Sequence, residues 1–172
     1  NPNGTVWQSY TLGDTNDSVH YSSAAISSNN IAYVGTSHGY FYAIDTVTGL
    51  VTNIFSGHGS ITSSPVIGQD GTTVYVCIAS YSGATLYAVD TSTTNITWNS
   101  ALDGYAWGSP AIDSNGNIYV VTTNGYIDVF NSDGTPRWNY ALPSGGDVWA
   151  TPVIGVNGTI YIPRDNILYA IR

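Results

Sequence analysis

The chain contains no methionine, no lysine and no glutamate, with one cysteine and three arginines among 172 residues. Eleven aspartates against those arginines give a formal net charge of −8. Three cations cannot offset a phosphate backbone, which excludes nucleic acid as a partner. Charged residues make up 8%, and the Leu-, Lys- and Glu-rich runs that build helices are missing. The lone thiol, Cys77, rules out an intramolecular disulfide and a cysteine-based zinc site. Within Val74-Tyr75-Val76-Cys77-Ile78 it reads as a small buried hydrophobe. No apolar window reaches the length of a transmembrane helix, and residue 1 opens no signal-peptide pattern. The expectation is a removed leader or a segment of a longer chain.

In place of charge the chain has 54 Ser, Thr and Asn residues, 19 Gly and 14 Tyr, with 42% hydrophobic residues. β-Branched and aromatic residues fit pleated sheets, so this profile predicts many strands with tight turns. The cleanest stretch opens with Ser109-Pro110-Ala111-Ile112, turns at Asn115-Gly116 and continues as Ile118-Tyr119-Val120. After Gly125 a third strand ends at Phe130, and an Asp133-Gly134 turn leads to a fourth that bears Trp138. Asn-Gly and Asp-Gly supply the positive φ of two-residue hairpins, and Pro at a strand start costs no ladder bond.

The unit recurs. Ala24, Pro65, Pro110 and Pro152 are 41, 45 and 42 residues apart, and Tyr33, Tyr75, Tyr119 and Tyr161 are 42, 44 and 42 apart. Four strands at such a period predict an all-β fold, a β-propeller of about four four-stranded antiparallel blades. Three blades fall at 19–55, 61–101 and 105–142, and three strands of a split blade at 148–172. Residues 5–10 match the end of the unit, Gly134-Thr135-Pro136-Arg137-Trp138-Asn139-Tyr140, and are expected as the outer strand of that split blade. The expectation is an open arc completed by further blades in cis or in trans, with a self-closed ring of four as the alternative. The segment around Ser80-Tyr81-Ser82-Gly83-Ala84 reads as the longest loop between second and third strands.

The joint pattern of Ser-Pro-Ala-Ile, Asn-Gly-Asn-Ile-Tyr-Val, Tyr-Ala-Ile-Asp-x-x-Thr-Gly and a late Trp resembles the pyrroloquinoline-quinone-type (quinoprotein-like) β-propeller repeats. The resemblance covers nearly the whole chain and implies that the Ser-Pro step lies on the innermost strand. It also implies that the late Trp packs between blades. Asn53 stands in that Trp position in the first unit, so a weaker contact is expected there. Enzymes of that family hold the quinone with a calcium ion, acidic ligands, a catalytic Asp and often an adjacent Cys pair. Neither the Cys pair nor a matching Glu-containing cluster is present. No catalytic residue, cofactor or metal is therefore expected.

Loops between blades share one face with those between second and third strands. Three residues before the Ser-Pro position stand Tyr21, Thr62, Trp107 and Trp149, predicted to ring the channel mouth. Neighbouring loops add His20, His58, Tyr105, Asp147, His38, Tyr81, Arg164 and Asp165. Aromatic faces beside polar groups suit a sugar or a peptide. Plugging of the channel is the plainer account of the Trp residues and is favoured over ligand binding. The histidines lack the paired spacing that aims two at one ion. Asp113-Ser114-Asn115-Gly116-Asn117 lacks the terminal Glu of an EF-hand loop and reads as a turn.

Sequons at Asn3, Asn16, Asn95 and Asn157 are candidate glycosylation sites, although chance alone supplies about three at this Asn, Ser and Thr content. With scarce charge and abundant hydroxyls they favour an extracellular or cell-surface setting. The expected function is a non-catalytic binding or assembly module for protein or glycan partners. The alternatives are a fragment of a quinoprotein-type dehydrogenase and an envelope assembly scaffold similar to propeller lipoproteins.

Overall fold

The computed structural model describes residues 4–6, 8–19, 21–56, 59–80 and 83–172. Its strands form four separate antiparallel sheets, and no helix occurs among the described residues. Blade 1 comprises β1 (Ala25–Ile26), β2 (Ile31–Gly35), β3 (Phe41–Asp45) and β4 (Val51–Phe55). Blade 2 comprises β5 (Val66–Ile67), β6 (Thr73–Ser80), β7 (Gly83–Asp90) and β8 (Ile96–Leu102). Blade 3 comprises β9 (Ala111–Ile112), β10 (Ile118–Val121), β11 (Tyr126–Phe130) and β12 (Pro136–Ala141). In blade 4, β13 (Val153–Ile154), β14 (Ile160–Arg164) and β15 (Ile167–Ile171) make a sheet of three. Within each sheet consecutive strands are neighbours, as in the blades of a β-propeller.

Local chemistry explains the regularity. The hairpins between first and second strands turn through Asn30, Gly71, Gly116 and Gly158, with φ of 64°, 68°, 81° and 79°. Only a residue tolerant of the left-handed region closes so tight a turn. Aspartates hold the turns between third and fourth strands: Asp45 accepts from Val47 N–H and Thr48 N–H, and Asp90 from Ser92 N–H and Thr93 N–H. A register shift between the third and fourth strands recurs in all three complete blades, at Phe41/Tyr42, Ala88/Val89 and Val129/Phe130.

Blades pack face to face through alternate residues, with three main apolar clusters between them. Tyr33, Phe41 and Ala43 of blade 1 meet Val74, Val76 and Ile78 of blade 2. Tyr75, Leu86 and Ala88 meet Ile118 and Val120, and Tyr119, Ile127 and Val129 meet Ile160 and Ile162. Cys77 lies wholly buried in the second cluster, where burial pushes its thiol up to about 12. Trp98 packs against Tyr75 at 5.7 Å and Trp138 against Tyr119 at 6.1 Å, ring centre to ring centre. Where blade 1 has Asn53, Phe55 makes the corresponding contact, 5.4 Å from Tyr87 of blade 2 and 5.1 Å from Phe41.

Two segments differ from the reading of the sequence. The segment read as a long loop over residues 80–84 is ladder at its described residues, since β6 and β7 stay paired out to Ser80 and Gly83. Apolar residues run from Val74 through Ala79, so the ladder has no reason to stop earlier. Residues 5–10, apart from Trp7, which lies outside the described residues, carry no strand. Their continuation instead lies on blade 1, where Tyr10 and Leu12 cover Ala32, Val34 and Ile44.

Candidate functional site

The innermost strands are linked by a hydroxyl relay. Ser23 N–H donates to Ser64 Oγ, Ser64 N–H to Ser109 Oγ, and Ser109 N–H to Thr151 Oγ1, each at 2.9 Å. The hydroxyl just ahead of Ala24, Pro65, Pro110 and Pro152 thus joins each blade to the next at the same height. Two residues upstream, this registration sets Tyr21, Thr62, Trp107 and Trp149 at corresponding positions of adjacent blades. Gly108 is essential to the approach of the last two, because a Cβ there would stand 2.4 Å from the Ala150 carbonyl oxygen.

Three of the four side chains meet. Tyr21 lies edge-on to Trp107 at 5.7 Å, and Trp107 edge-on to Trp149 at 4.9 Å. Edge-to-face packing suits the quadrupoles of such rings and holds the cluster together without enclosing it. Tyr21 remains 61% exposed and Trp149 57%. Thr62 is buried, and its hydroxyl has no hydrogen-bond partner among the described residues. Tyr105 and Asp147 are exposed in loops beside the cluster. The tie is direct: Thr123 N–H donates to Tyr105 O at 2.7 Å, and Val148 N–H to Thr123 O at 2.8 Å.

Arg164 proves to be a builder of this face. It is buried, and its guanidinium reaches the carbonyls of Gly146 (2.8 Å), Pro143 (2.9 Å) and Gly145 (3.0 Å), fixing the loop that leads to Trp149. Asp165 Oδ2 accepts from Gly146 N–H at 3.0 Å. His38 lies with Nδ1 3.7 Å from Asp14 Oδ1 and 3.9 Å from Asp17 Oδ1. His20, His58, Tyr81 and Asn3 fall outside the described residues. Asn16, Asn95 and Asn157 are all exposed, the last holding its turn by accepting from Thr159 N–H at 3.1 Å.

A second feature of the site depends on contacts that the sequence does not show. Asp128 of β11 stands where β3, β7 and β15 carry Tyr42, Tyr87 and Tyr169, and it is buried between blades 2 and 3. Its carboxylate accepts from Asp103 N–H at 3.0 Å, while Asn139 Nδ2 donates to Asp103 Oδ2 at 2.7 Å. Burial, reinforced by the neighbouring Asp103 carboxylate, pushes Asp128 up to about 6 despite that backbone donor. Asp103 borders two open clefts. One, of about 370 Å³, is shared with Tyr105, Thr123 and Asn124; the other, of about 360 Å³, is shared with Arg137, Trp138 and Asn139. The substitution of Tyr by Asp is visible in the repeat, but its partner is 25 residues away on another blade.

Comparison with known proteins gives a family and a fold. The family described as outer membrane protein assembly factor BamB matches residues 3–139. Among solved structures the chain is similar to Kuenenia stuttgartiensis hydrazine synthase, with 17% identity and a TM-score of 0.72 over 95% of this chain and 46% of that one. It is also similar to BamB from Moraxella catarrhalis, with 22% identity and a TM-score of 0.62 over 84% of this chain and 46% of that one. The chain thus spans about half the length of both structures. No curated protein matches the sequence.

Proposed function

The chain belongs to the family of outer membrane protein assembly factor BamB, and from that premise we propose that it is a non-catalytic β-propeller module that binds a protein partner during assembly at the cell envelope or surface. The observation that carries this reading is the exposed aromatic cluster of Tyr21, Trp107 and Trp149 on the face where inter-blade loops converge. Rigid aromatic side chains give large contact area at little entropic cost, and such residues dominate the energetics of protein interfaces. Exposure of Tyr21 and Trp149 argues against a role confined to filling the channel. Scarce charge, abundant hydroxyl groups and the exposed sequons at Asn16, Asn95 and Asn157 support an extracytoplasmic setting.

Photo-crosslinking from position 149 in intact cells tests the assignment. The expected product is a covalent adduct with an envelope protein, lost in a variant that also carries Trp107→Ala and Tyr21→Ala. Adducts with glycan alone would reassign the ligand class. An undiminished protein adduct in the triple variant would move the site elsewhere.

A further inference from the structure

The hydrogen-bonding groups around the aromatic cluster are unevenly used. Trp98, elsewhere in the fold, donates its indole N–H to Ser132 O at 3.1 Å, but the indole N–H groups of Trp107 and Trp149 have no acceptor among the described residues. An indole nitrogen can only donate, so whatever completes this surface must bring acceptors. The nearby cation is already engaged, since the Arg164 guanidinium is bonded to the carbonyls of Pro143, Gly145 and Gly146. Asp147, two residues before Trp149, is exposed and its carboxylate has no hydrogen-bond donor among the described residues.

The shape of the cluster narrows the choice further. Tyr21 meets Trp107 at an interplanar angle of 75° and Trp107 meets Trp149 at 65°, so the rings form ridges with angular niches between them and not one flat platform. A sugar ring stacks on a flat aromatic face and carries hydroxyl donors that need acceptors, of which this surface has few. Proline answers both features: its ring is small, apolar and rigid, and the residue has a carbonyl acceptor but no N–H donor. A run of prolines holds the polyproline II conformation, with backbone carbonyls unpaired and about 9 Å for each turn of three residues. With ring centres 5.7 and 4.9 Å apart in succession, one such turn is long enough to touch all three rings. The exposed Asp147 and the net charge of −8 favour a cation beside the prolines.

We propose that the cluster recognises an extended, proline-rich segment of its protein partner, flanked by a lysine or an arginine. Proline rings enter the niches between Tyr21, Trp107 and Trp149, peptide carbonyls accept from the two indole N–H groups, and the basic side chain pairs with Asp147. The inference rests on the protein-partner reading of this cluster and adds what the cluster recognises.

Titration of the 172-residue chain with a synthetic polyproline peptide that ends in one arginine tests the proposal, followed through the indole N–H signals in two-dimensional NMR. The signals of Trp107 and Trp149 should move as their hydrogen bonds form, while that of Trp98 stays in place. Trp149→Ala should weaken binding about tenfold or more. Trp149→Phe, which keeps an aromatic face but has no N–H, should weaken it about threefold. Trp149 is 57% exposed, so both variants keep the blades intact. Glutamate in place of the peptide's arginine should weaken binding about threefold, an effect that fades in high salt. Absence of binding at millimolar peptide overturns the proposal, and so does equal binding of a glycine-serine peptide with the same arginine. An envelope-protein adduct from position 149 without polyproline binding would leave the protein-partner reading standing and overturn this one alone.

Discussion

Asp128 shows how a single residue can set a pH dependence. A carboxyl whose folded pKa is raised from 3.8 to about 6 is easiest to bury as the neutral acid. Ionisation therefore weakens the fold as pH rises through that window, by about 3 kcal/mol once Asp128 is charged. Asp128→Asn keeps an acceptor for Asp103 N–H and adds a donor toward the Asp103 carboxylate. The variant should be about 3 kcal/mol more stable than the parent at pH 8 and nearly equal to it at pH 4, read from urea unfolding at both. An equal gain at the two values would show that packing, not charge, is the cause. The sequence revealed the odd residue in the column of tyrosines but not its consequence, because Asp103 comes near only when blades 2 and 3 stack.

At the scale of the element, the loop before Trp149 depends on Arg164. A buried guanidinium bonded to a set of backbone carbonyls holds a segment that has no sheet ladder of its own. Gly125, at φ 88°, lies against it so closely that a Cβ would stand 2.2 Å from Nη1. Arg164→Ala should cost about 3 kcal/mol and leave those carbonyls unsatisfied. Arg164→Lys should recover only part, since an ammonium lacks the planar fork. Chemical denaturation of both variants checks the order, and equal stabilities for Lys and Arg would refute the clamp. Strand positions and hairpins were legible from Pro and Tyr spacing and from Asn-Gly turns, because these depend on neighbours in sequence. The clamp and the true length of the β6–β7 hairpin were not, since each depends on contacts that the repeat does not share.

Across the whole molecule the titrating groups oppose one another. Asp45 is held below its ordinary value by Thr48 and Val47 N–H groups, Asp90 at about 2 by Ser92 and Thr93, and Asp133 by Thr135. Asp70 and Asp113 are lowered too, their turn hydrogen bonds outweighing the burial that would raise them. Depressed carboxyls contribute stability above their unfolded values and lose it as pH falls through the folded ones. Asp128 contributes the opposite slope from about pH 4 upward. Thermal unfolding from pH 2 to 9 should therefore show a maximum near pH 5, displaced upward in Asp128→Asn. A parent maximum above pH 7 would contradict this balance.

The hydroxyl relay has a direction, since each inner strand donates its N–H forward and offers its Oγ to the strand behind. Every link is the same pair of groups, so a unit copied in the gene and inserted between two others would meet, on either side, partners it already fits. Lineages built this way can change blade number by duplication or loss without inventing an interface, while the loops that carry Tyr21, Trp107 and Trp149 diverge.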